Sequence, residues 1–131
     1  MSTAAEGGAD HFVLYVEDEE ILREAGLAAL TKAGFAALGA ANGGEALRHF
    51  RAAPQRFPVV VLDWNMPGVS GVELIRELRA LHPEVRILLA TAEDAGALPD
   101  LRASGAWLRA LRKPFRSYEL LSQVAALLAQ R

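Results

Sequence analysis

Five polar residues stand where short apolar runs end. Glu17 and Asp18 follow FVLYV (Phe12–Val16), and Asp63 follows VVVL (Val59–Leu62). Thr91 follows VRILLA (Val85–Ala90), and Lys113 comes shortly after WLRAL (Trp107–Leu111). Three carboxylates, one hydroxyl and one ammonium make a chemically coherent set. Crowded carboxylates repel one another and hold their protons more tightly unless a cation lies among them. A hard divalent cation such as Mg²⁺ takes oxygen ligands and keeps several waters, so one or two carboxylates and a carbonyl can hold it. A carboxylate beside such an ion can attack phosphorus and form an acyl phosphate. The equatorial oxygens of the transferred group then need neutralising, for which a metal, a Lys ammonium and a Thr hydroxyl are suited.

Taken singly, each residue has a plainer role. Glu17-Asp18 suits the positive end of a helix. Asp63 suits a turn, Thr91 an N-cap, and Lys113 a solvated surface. The elements that carry them decide whether they act together. Phe12–Val16, Val59–Leu62 and Val85–Ala90 are continuous apolar runs, which fit strands buried on both faces. Phe35–Ala40 is a weaker strand, because Ala is a poor strand former and Gly39 weakens it further. Trp107–Leu111 fits either a strand or a helix.

Helical periodicity lies between these runs. Glu19–Ala33 brings Leu22, Ala25, Ala29 and Leu30 close to one face, with Gly34 as its stop. Gly43–Ala53 closes before Pro54, and Gly71–Leu81 spaces Val72, Ile75, Leu78 and Leu81 for one face. Arg116–Gln130 aligns Leu120, Val124, Leu127 and Leu128, with Ser117 as candidate N-cap and Glu119 in the first turn. Glu93–Ser104 is the weakest helix, since Gly96 and Pro99 interrupt it; it is expected to start late and to be mobile. The order is β-α repeated five times, which predicts a parallel sheet with helices on both faces and right-handed crossovers. In such a sheet ligands bind outside the carboxyl ends of the strands. All five polar residues would then meet on one edge.

Composition narrows the remaining classes. With 131 residues, 52% apolar and 23% charged, the chain is one ordinary domain, read as residues 11–131 behind a small, acidic, mobile tail at Met1–Asp10. That tail lacks the basic and apolar regions of a signal peptide. The absence of Cys excludes disulfides, thiolate chemistry and Cys-ligated metals. A formal charge of −2 gives no global pull toward nucleic acid. No run of about 18 apolar residues occurs, so no membrane insertion is expected and a cytoplasmic location is the default. His11, His49 and His82 are scattered and read as surface residues. Gly43-Gly44 suits the start of a helix rather than a phosphate cradle, and Gly68–Val72 lacks the last Gly of a nucleophile elbow. Trp64 and Trp107 fit either exposed contacts or packing.

At this point a resemblance enters. VEDEE (Val16–Glu20), LDWNMPG (Leu62–Gly68), ATA (Ala90–Ala92) and RKPF (Arg112–Phe115) occur in order, and 45, 28 and 22 positions separate Asp18, Asp63, Thr91 and Lys113. From Phe12 onward the chain resembles the receiver domains of two-component response regulators. The resemblance implies a flavodoxin-like (βα)5 fold, a doubly wound parallel five-stranded sheet of order 2-1-3-4-5. It implies that Asp63 is the phosphoacceptor and that Glu17, Asp18, Asp63 and the backbone carbonyl of Asn65 hold Mg²⁺. Lys113 would contact the phosphoryl group, and Thr91 would bond to it once attached. Lys113–Pro114 would be a cis peptide, with Met66 and Pro67 shaping the loop after the acceptor.

The implied partners are a sensor histidine kinase or phosphotransfer protein and an output protein, the chain itself being no enzyme. Since the sequence stops one helix after Lys113, no DNA-binding module is expected to follow, and output is expected through protein contacts. Two other readings stay open: a receiver module excised from a larger regulator or hybrid kinase, and an Asp-nucleophile phosphatase. The latter usually needs a second Asp two positions on, where Asn65 stands. One departure is clear. The family's usual aromatic three positions before the Lys is replaced by Ala110, so switching is expected to run through 93–101, with Trp107 as a substitute sensor.

Overall fold

The computed structural model describes residues 11–66, 70–93 and 108–129. The tail at 1–10, the helix expected at 93–104 apart from Glu93, and the sensor role considered for Trp107 lie outside them. Five strands form: β1 (Val13–Val16), β2 (Ala37–Ala40), β3 (Val59–Asp63), β4 (Arg86–Thr91) and β5 (Leu108–Arg112). They make one parallel sheet of order β2-β1-β3-β4-β5, the doubly wound order that the resemblance implied. The ambiguous run before Lys113 is therefore a strand, with Leu108 opposite Ile87 and Arg112 opposite Thr91.

The described helices are α1 (Glu20–Lys32), α2 (Gly43–Ala52), α3 (Gly71–Leu81) and α4 (Ser117–Ala129), with a 3₁₀ turn at Pro54–Arg56. Side chains alternate across the pleat, so each inner strand feeds two cores. Leu14, Val16, Val60, Leu62, Ile87 and Leu89 meet Phe50 of α2 and Leu74, Ile75 and Leu78 of α3. Val13, Tyr15, Val59, Val61 and Leu88 meet Leu30 of α1 and Leu120, Val124 and Leu127 of α4.

The helix ends follow local chemistry. At the end of α1, Gly34 adopts φ 97°, and Phe35 N–H donates to Leu30 O at 2.9 Å while Gly34 N–H donates to Thr31 O at 3.0 Å. This is a Schellman stop, closed by the apolar Phe35 and Leu30. At the start of α2, Asn42 Oδ1 accepts from Glu45 N–H at 2.8 Å, and Glu45 Oε1 accepts from Ala41 N–H at 2.9 Å.

Four expectations need correction. Ser117 is not the cap of α4 but its first residue. Arg116 precedes it, and its N–H donates to Glu119 Oε1 at 2.8 Å, the half of a capping box in which an acid at the third helical position reaches back. On α1 the buried stripe runs through Gly26 and Leu30, whereas Ala25 is exposed and Leu22 is 46% exposed. Leu22 lies one turn before Gly26, where it lines a groove with Phe115 instead of meeting the sheet. Gly26 itself is required by Tyr15, because a Cβ there would lie 2.3 Å from the tyrosine Cζ. On α4, Leu128 is exposed rather than sharing the buried face. Finally, His49 and His82 are half-buried, not surface residues. His82 stacks on Phe50 with centroids 6.4 Å apart, and burial lowers its pKa.

Candidate functional site

β1 delivers the acidic pair. Glu17 N–H donates to Ala40 O at 3.0 Å, which carries the ladder one residue past the strand. The Glu17 side chain turns inward and is buried, whereas Asp18 is exposed. Glu17 Oε2 accepts from Glu19 N–H at 3.1 Å, and Arg23 Nη1 donates to Glu17 O at 2.9 Å.

β3 lies next to β1 with Leu62 opposite Val16, so Asp63 reaches the same level as Glu17. Carboxylate oxygens of Glu17, Asp18 and Asp63 all lie within 4.8 Å of one another. The cost of that arrangement is visible at Glu17, whose carboxyl is pushed up to about 7. Burial is the main cause; the Glu19 N–H pulls the other way, and the Asp63 charge adds to the rise. The Tyr15 hydroxyl, two residues earlier on the same face, is pushed up to about 12 by burial and by Glu17 and Asp63.

β4 and β5 bring the other two groups. Lys113 N–H donates to Thr91 O at 2.7 Å, and the Lys113–Pro114 peptide is cis. The Lys113 ammonium reaches across β4 to lie 2.6 Å from Asp63 Oδ1, with Asp63 buried and Lys113 half-buried. Lys113 is thus an internal counter-charge and not a solvated surface residue. Thr91 is buried, and its Oγ1 accepts from Glu93 N–H at 3.0 Å, which leaves the hydroxyl proton available to another acceptor.

The turn after Asp63 is tied at both ends. Asn65 N–H donates to Asp63 Oδ1 at 3.1 Å, and Asn65 Oδ1 accepts from Ala92 N–H at 3.0 Å. Trp64 is half-buried against the start of α3, where a Cβ at Gly71 would lie 2.5 Å from its ring, so it is packing rather than a free contact residue. Ala110 is exposed on β5.

All five polar residues of the sequence reading thus share one edge of the sheet. The donor set fits a hard divalent cation: three carboxylates converge, and burial and the Asp63 charge raise the Glu17 carboxyl, which a cation among them would lower. Sequence reasoning missed Arg23, Tyr15 and the side-chain bond from Asn65 to Ala92. Two of these had a signal, since Gly39 and Gly26 interrupt a strand and a helix, and such glycines often mark close approach.

Comparisons with known proteins agree with this geometry. A family model for the response regulator receiver domain matches residues 13–125. Sensor kinase CckA of Brucella abortus is 38% identical over 120 residues, 88% of this chain but 12% of that protein. The chain likewise spans about half the length of the transcriptional regulators that it matches. The chemotaxis regulator CheY4 of Vibrio cholerae superposes with a TM-score of 0.80 at 32% identity, over 89% of this chain and 98% of that one. Response regulator TrrA of Thermotoga maritima, solved with Mg²⁺ and BeF, gives 0.75 at 33% identity over 89% and 98% of the two chains. TrrA solved in complex with the histidine kinase ThkA gives 0.77 at 31% identity over 91% and 99%. With the fold, the acidic edge and the matched length in agreement, the chain belongs to the response regulator receiver domains, phosphoacceptor modules of two-component signalling rather than enzymes.

Proposed function

We propose that Asp63 accepts a phosphoryl group from a phosphohistidine of a sensor histidine kinase or phosphotransfer protein, and that the modified chain then changes its contacts with an output protein. The observation that carries this reading is the Lys113 ammonium 2.6 Å from an Asp63 that also belongs to a three-carboxylate cluster. A carboxylate oxygen of Asp63 attacks phosphorus, the N–P bond breaks, and its electron pair stays on the imidazole, which takes a proton from solvent. Glu17, Asp18, Asp63 and the Asn65 carbonyl would hold Mg²⁺, which supplies charge neutralisation to the phosphoryl oxygens. Lys113 pairs with the same oxygens, and the Thr91 hydroxyl donates to one of them after transfer. The receiver domain is assigned to residues 11–131.

The partner class draws support from the TrrA–ThkA complex. It also draws support from exposed apolar residues early in the two helices that follow site residues, Ile21 and Leu22 on α1 and Tyr118 on α4. Output through protein contacts rather than nucleic acid is consistent with the net charge of −2. No helix among the described residues is long and apolar enough to cross a membrane. A cytoplasmic location goes with the reading, because ATP, the source of the phosphoryl group, is found there. The match to 12% of a sensor kinase favours a second version, in which the domain works as a module of a longer chain.

Incubation with radiolabelled acetyl phosphate and Mg²⁺ tests the acceptor. Label should enter wild type and be lost in Asp63→Asn and with chelator. Label retained in Asp63→Asn would move the acceptor elsewhere.

A further inference from the structure

Glu17 presents its carbonyl at the point where β1 leaves the sheet. β2 ends at Ala40 and the chain turns into α2, so no further ladder donor follows on that side. Arg23 meets the carbonyl instead, with Nη1 at 2.9 Å. The arginine reaches it from the first turns of α1, and its stem lies along the bare backbone of Gly39. A Cβ at Gly39 would lie 3.3 Å from Arg23 Cδ and 3.4 Å from its Cγ. Arg23 is half-buried there, and the bond to the Glu17 carbonyl holds its guanidinium.

We propose that Arg23 is a positioning residue for the carboxylate cluster: by fixing the peptide after Glu17 it sets where Asp18 stands relative to Glu17 and Asp63. The role goes beyond the phosphoacceptor reading and rests on its metal site. Three constraints converge on two residues. The ladder bond to Ala40 fixes the Glu17 nitrogen, Arg23 fixes its carbonyl, and Glu19 N–H fixes its side chain. Without the guanidinium the peptide between Glu17 and Asp18 loses the bond that holds its carbonyl, and Asp18 shifts with it. The guanidinium also adds positive charge beside a crowded acidic cluster. A lysine would keep the charge but lack the planar fork that fits a carbonyl at the end of a pinned stem. Groups that orient metal ligands typically change metal affinity by about 10–100-fold when removed.

The test is Mg²⁺ titration followed by Trp64 fluorescence in wild type, Asp18→Ala, Arg23→Gln, Arg23→Lys, Arg51→Gln and Leu30→Ala. Arg51 pairs with Glu77 on the surface, so its variant removes one distant positive charge. Leu30→Ala loosens α1 through the core instead. Arg23→Gln is expected to raise the Mg²⁺ Kd about tenfold, Arg23→Lys less, and the two controls less than twofold. Thermal melts without metal check that each variant is folded, and Arg23→Lys carries the test if Arg23→Gln is not. Unchanged affinity in the Arg23 variants overturns the proposal. So does an equal loss in Arg51→Gln, which would make it a matter of net charge, or in Leu30→Ala, which would make it general helix stability. A wild type that binds no Mg²⁺, or binds it equally without Asp18, overturns the metal site itself.

Discussion

Glu17 and Asp63 are the buried members of an acidic triad whose third, Asp18, faces water. Glu17 is the one whose carboxyl is raised. Its carboxyl titrates at about 7 in the folded chain, against an ordinary value of 4.5. Between those values the folded state binds more protons than the unfolded one, so stability falls as pH rises through the window. The contribution is fully present below the ordinary value and lost above the raised one. Denaturant midpoints of the metal-free chain at about pH 5 and about pH 8 should therefore drop more in wild type than in Glu17→Gln. Mg²⁺ affinity should run the opposite way and rise with pH, because the cation must displace that proton. Four of the five polar residues could be read from the sequence because they follow continuous apolar runs, and Lys113 because it follows the ambiguous run Trp107–Leu111. Arg23 was harder to read, because a helix-borne arginine normally reads as a solvated charge, and its one signal is Gly39 on another strand, against which the stems of Leu27 and Arg23 lie.

At the scale of elements, the loops around the site are tied to one another through single side chains. Asn65 Oδ1 holds Ala92 N–H, and Thr91 Oγ1 holds Glu93 N–H, so the turn after β3 and the segment after β4 share a hydrogen bond. Asn65→Ala should speed amide exchange at Ala92 about fivefold, the equivalent of about 1 kcal/mol for one such bond. Exchange by NMR measures it. At the opposite end of α1, Gly34→Ala forces an L side chain into φ 97°, with no atom within 4 Å to relieve or worsen it. The loss should be about 1–2 kcal/mol by denaturation, from backbone strain alone. Gly34 was legible as a stop because only glycine adopts that φ freely. The position of Ser117 was not, because Ser as cap and Ser as first helical residue leave the same local pattern. The bond from Glu119 to the Arg116 N–H separates the two. The burial of α1 departs from its sequence periodicity for a related reason. Periodicity identifies a stripe, but not how far along that stripe the sheet extends, and Leu22 lies past its end.

For the molecule as a whole, the parallel sheet covered on both faces follows from three strands that are apolar on both faces, a pattern plain in the sequence, whereas its order was implied only by the resemblance. What the pattern could not give is how the two faces differ. The face covered by α2 and α3 is filled with aliphatic residues and a Phe50–Phe57 stack at 5.9 Å. The face covered by α1 and α4 holds Tyr15, whose ring occupies the space left by Gly26. Gly26→Ala should destabilise the wild type by about 1–3 kcal/mol, because the ring has to move. In a Tyr15→Val background the same change should stabilise by about 0.5–1 kcal/mol, since Ala suits a helix better than Gly. Chemical denaturation of the four variants measures the reversal of sign; two losses of equal size would refute the coupling. The pair therefore imposes a direction on descent. A glycine at position 26 can arise first at the small cost of a weaker helix, and the tyrosine can then enter the space. The reverse order passes through a clash, so once the ring is seated the glycine can no longer drift back alone.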